Sequence, residues 1–90
     1  MRHFCIERDA DKQGRSILRY SLTQTRKLVE GYGIARVYGV SCSFVSRPDT
    51  EVTVDDISSN ENRAVEIIFT LAKQCVLPTE LLSALRVIIS

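Results

Sequence analysis

The sequence has no tryptophan, one histidine, two prolines and three cysteines among its 90 residues. Cys5, Cys42 and Cys75 stand far apart with no C-x-x-C pair, and His3 is the only imidazole. That set spaces no ligands for zinc, and an odd number of cysteines builds no disulfide framework. The three are read as small buried thiols in a reducing compartment. No window approaches 18 continuous apolar residues, and Met1-Arg2-His3-Phe4-Cys5-Ile6-Glu7-Arg8 carries charges where a signal peptide needs an apolar core. The expectation is a cytoplasmic protein that neither spans nor enters a membrane.

Catalytic parts are also scarce. A nucleophile, a base and an oxyanion donor must converge, and a single terminal His3 beside scattered thiols does not promise that. Asp55 and Asp56 are adjacent, so on a strand they point to opposite faces and share neither a proton nor a metal. Asp56 is read instead as an acceptor at a helix entry. Gly31-Tyr32-Gly33 lacks the third glycine and the following helix of a phosphate-binding loop, and is read as a turn. No enzymatic activity and no cofactor are expected.

What is present is a globular composition, 44% hydrophobic and 26% charged, in a length that suits one domain over residues 1–90. The net charge of +1 lacks the basic footprint of a nucleic-acid binder, yet it is unevenly spread. Residues 1–47 hold nine basic and four acidic side chains, and residues 48–90 hold three and seven. Arginine outnumbers lysine nine to three, and its planar fork suits phosphate or carboxylate.

Alternation predicts strands over about residues 2–55. Phe4 and Ile6 begin it, and Leu18, Tyr20 and Leu22 form one parity against Arg15, Ile17, Arg19, Ser21 and Thr23. The pattern lapses between Gln24 and Gly33, then resumes from Ile34 to Ser46, where Gly39 marks a candidate bulge. Arg47-Pro48-Asp49 reads as a turn before a short strand over residues 51–55. Ser58 with Glu61 fits a capping box opening a helix over about 59–76, with Val65, Ile68, Phe69, Ala72, Cys75 and Val76 as its apolar stripe. A second helix follows over 78–89, its break set by Pro78. The fold class is α+β: a four-stranded antiparallel meander with two C-terminal helices packed on one face.

Two surfaces stand out. The second helix confines polar residues to a narrow stripe of Thr79, Ser83, Arg86 and Ser90, so its apolar circumference exceeds what one core covers. Leu81, Leu82, Leu85, Ile88 and Ile89 are the candidate interface for a homodimer or a protein partner. Arg15, Arg19 and Arg36 are the candidate contacts for nucleic acid or another anionic ligand on the solvent face of the sheet.

The Glu30-Gly31-Tyr32-Gly33-Ile34 string, Asp56-Ile57-Ser58 at a helix entry and the Val76-Leu77-Pro78 joint resemble a family of short bacterial proteins, mainly clostridial, known as domain of unknown function 6514. The likeness covers about residues 15–88. It implies a bacterial cytoplasmic protein of strands followed by two helices, and no established activity. The chain departs from the family pattern at Arg36, where an apolar residue is usual. Function is therefore expected to be non-enzymatic: an interaction module acting through the second helix or a sheet edge, with anion or nucleic-acid binding through a basic sheet face as the alternative.

Overall fold

The computed structural model describes residues 4–9 and 17–89. Four strands, β1 (Cys5–Asp9), β2 (Ile17–Val29), β3 (Gly33–Phe44) and β4 (Arg47–Ser58), form one antiparallel sheet in the order β1-β2-β3-β4. Helix α1 (Glu61–Lys73), a single 3-10 turn (Pro78–Glu80) and α2 (Leu81–Ile89) follow. This is the expected α+β meander. The core is the helix-side face of the sheet against the two helices, with Leu18, Tyr20, Val40, Cys42, Ile68, Leu71 and Leu81 fully out of water. Alternation in β2 was a true guide here, because Leu18 and Tyr20 face the helices while Arg19 faces solvent.

Several boundaries move. β2 does not lapse at Gln24 but continues to Val29, and β3 pairs with it from Gly33, so the chain turns only at Glu30, Gly31 and Tyr32. Gly31 and Gly33 both have φ of +83°, the left-handed region where a side chain is strained. The next turn is Val45-Ser46 rather than Arg47-Pro48-Asp49; Phe44 and Arg47 face each other, and Pro48 sits in the edge strand β4, where no ladder bond is lost.

Gly39 is where the sheet bends. Two register shifts interrupt the β3–β4 ladder, one of them between Tyr38 and Val40. There β4 presses so close that a Cβ on Gly39 would run into the Val54 carbonyl and lie 2.7 Å from the Asp55 carbonyl carbon. The same curl lets Lys27 of β2 reach across β3 to Asp56 of β4, 3.0 Å apart. Asp56 thus holds a strand contact and is not the helix-entry acceptor.

That acceptor is Asn60, whose Oδ1 takes the Arg63 amide at 3.1 Å; Ser58 bonds the Asn60 amide instead of forming a box with Glu61. α1 starts two residues later than expected and stops earlier, at Lys73. Its end is a Schellman closure, with Val76 N–H on the Leu71 carbonyl, Cys75 N–H on that of Ala72, and Cys75 itself left-handed at φ 49°. Ala64, Ile67 and Leu71 carry the buried stripe together with Val65, Ile68 and Ala72. Phe69, placed in that stripe from spacing, is half exposed and meets Phe4 edge-on at 5.2 Å. Of the cysteines only Cys42 is buried; Cys5 is exposed and Cys75 intermediate, and all three are free thiols.

Candidate interaction groove

Helix α2 is short and strongly apolar, and it follows a turn started by buried Pro78 and closed by Glu80, whose carboxylate accepts the Leu77 amide at 3.2 Å. Helical spacing puts positions 81, 85 and 88 on one line. Leu81 and Leu85 are accordingly buried and Ile88 half-buried against the core. Leu81 is therefore a core residue and not an interface residue, and Leu85 is open only as the floor of a groove. Leu82 (52% exposed) and Ile89 (47%) flank that groove on the outside, and Val87, absent from the expected set, is the most exposed apolar residue of the helix at 77%.

The groove itself runs between α2 and β4, about 340 Å³, with Val54, Ile57, Leu82, Leu85 and Ile89 as its apolar walls. Asp56 and Arg86 add one charge of each sign. Its β4 side is the edge of the sheet, so apolar side chains and an unpaired strand edge lie together. The opposite flank of α2 holds a larger depression of about 520 Å³, where Gln74, Thr79, Glu80 and Ser83 mix with Val76, Ala84 and Val87. Apolar surface that remains in water beside a strand edge is the more telling of the two.

The two described arginines of the expected basic face do not come together. Arg15, like His3, lies outside the described residues. Arg19 donates from Nε and Nη2 to Glu7 Oε2 at 2.9 and 2.7 Å, because the β1–β2 register sets Glu7 directly opposite. The hydrogen bond to Glu7 and its charge hold the Arg19 guanidinium above its usual range. Arg36 is on the other face of the sheet, opposite Arg26. Arg19 and Arg36 thus form no common surface.

Among the described residues no charged side chain is buried, and no three of His, Cys, Asp and Glu gather as a metal site. No described helix is long and apolar enough to cross a membrane. The fold and the groove can be set beside known proteins. Residues 2–89 match the family of unknown function DUF6514. The chain belongs to that family. The DUF6514 match takes in β1 as well as the span from residue 15. No curated protein and no solved structure matches the chain.

Proposed function

We propose that the chain is a non-enzymatic interaction module that binds a second copy of itself through α2 and the adjoining edge strand β4. The observation that carries this is the pair Leu82 and Ile89, about half exposed on either side of an apolar groove. Burying such side chains against another surface stabilises association by roughly 25 cal/mol for each Å² taken from water. A second copy suits the groove because the chain is near neutral overall yet carries its basic excess in the first half and its acidic excess in the second. Two such chains meet without net repulsion and offer each other opposite charges. The basic-face alternative has less support, since Arg19 is engaged by Glu7 and Arg36 lies on the other face of the sheet.

Light scattering over a hundredfold range of concentration tests the reading. A mass that rises to two chains, and falls to one in folded Leu82→Lys and Ile89→Lys variants, is the expected result. One chain at every concentration defeats it.

A further inference from the structure

β1 is the edge strand on the side of the sheet away from β4, and α1 packs against it. Between the two lies a recess of about 220 Å³ lined by Ile6, Arg8, Phe69, Ala72 and Lys73. Two periodicities bring these side chains together. Ile6 and Arg8 stand opposite Tyr20 and Leu18, so both project from the helix side of β1. Phe69 and Lys73, four residues apart, share one line of α1 with Ala72 beside them. The Phe69 ring, 55% exposed, is steadied by the edge-on Phe4.

The recess has two cations and no acid in its walls. Among the described residues neither Arg8 nor Lys73 has an ion-pair partner. The neighbouring carboxylates are turned away or engaged: Glu7 and Asp9 alternate to the other face of β1, where Glu7 holds Arg19, and Glu66 pairs with Arg63. Arg8 lies close to the core, since burial chiefly raises the Tyr20 phenol and the Arg8 charge opposes that rise. The carbonyl end of α1 accounts for Lys73 in its last turn, but not for an arginine brought beside it from another element. Two like charges on one small recess repel, and an anion between them relieves the repulsion.

Ile6, Ala72 and the open Phe69 ring offer no hydrogen bond, so the body of such an anion is apolar, and an aromatic ring can stack offset or edge-on against Phe69. The volume is below the roughly 300 Å³ at which sites for drug-sized ligands begin, which suits one ring and a short chain. We propose that this recess binds a small aromatic monocarboxylate, its carboxylate held by Arg8 and Lys73 and its ring against Phe69, Ile6 and Ala72. The planar fork of arginine takes both carboxylate oxygens, and lysine adds a point charge. The recess and the α2–β4 groove are built from different elements, so this assignment does not rest on self-association.

Titration of the native chain with 3-phenylpropanoate, followed by amide shifts in two-dimensional NMR, tests it. The expected result is a saturable shift confined to residues 6–8 and 69–73, with a Kd of roughly 1 mM or below. The neutral isostere 3-phenylpropanamide should bind at least about tenfold more weakly, a comparison that needs no variant. Arg8→Gln with Lys73→Gln, folded by circular dichroism, should weaken the carboxylate by at least the same factor. Equal binding of acid and amide, or of native chain and double variant, overturns the proposal, as do shifts centred elsewhere or none by about 10 mM. If hexanoate binds as tightly as 3-phenylpropanoate, the aromatic part of the assignment falls. Each outcome is read at one fixed protein concentration, so failure here leaves the self-association of the chain untouched.

Discussion

Tyr20 and Cys42 face each other across β2 and β3, and both turn to one backbone group, the Val76 carbonyl just after α1. The phenol donates to it at 2.7 Å and the thiol approaches at 3.7 Å. Burial disfavours their ionised forms: the Cys42 thiol is pushed up from 9.0 to about 11, and the Tyr20 phenol is also raised, mainly by the same loss of water. The folded chain thus keeps these protons where the unfolded chain releases them. The contribution of Cys42 is complete below pH 9 and is lost as pH rises toward 11, whereas that of Tyr20 is complete below pH 10 and is lost over a still higher range. Thermal melts should be flat from pH 7 to 8 and fall steeply above 9. Cys42→Val should remove about 3 kcal/mol of that alkaline loss. An unchanged slope in the variant would show that other groups drive it. Cysteine burial itself was legible only in part: three thiols look alike in sequence, and only the strand register decides that Cys42 faces the helices and Cys5 does not.

At the scale of elements, the curl at Gly39 is the most demanding local feature. Gly39→Ala forces a methyl into the β4 backbone and against Thr23 Oγ1, 2.6 Å from the added carbon. Because two of the three nearest atoms are backbone, the clash cannot be relieved by a rotamer. The variant should lose about 3 kcal/mol in a urea melt, the upper end for overpacking. A loss under about 0.5 kcal/mol would mean that β4 lifts away freely. The bulge was readable as a glycine inside an apolar run. The outer part of the β2–β3 hairpin was not, because alternation reports a strand through its buried face and Gln24-Thr25-Arg26-Lys27 has none to report. Ser58 and Asn60 are both good caps, and choosing between them needs the end of β4, which sequence places too early. The groove was half legible: the breadth of apolar surface on α2 predicted exposure, but which of its leucines reach solvent depends on where the helix settles against β4. The separation of Arg19 from Arg36 was beyond sequence, since it depends on the register between β2 and β3.

Across the whole molecule, stability is unequal. The body joins sheet and helices through one continuous core, whereas the outer part of the β2–β3 hairpin, residues 25–29 and 33–36, is largely exposed and is tied to β4 by the Lys27–Asp56 pair. Hydrogen exchange in dilute solution should therefore release the hairpin's amides at residues 25–36 far sooner than those of Leu18, Tyr20 and Val40. Uniform exchange along β2 would show that the hairpin end needs no packed face.

The long β2–β3 hairpin also alters how the molecule moves through water. The molecule measures 50 × 25 × 20 Å, and its radius of gyration of 13.6 Å exceeds the roughly 12 Å of a compact chain of this length. An elongated particle has more friction than a sphere of equal mass. A single chain will tumble slowly about its short axes and leave a sizing column ahead of its weight. Elution volume alone would thus report an enlarged particle before any two chains had met, and only a shape-independent mass distinguishes reach from assembly.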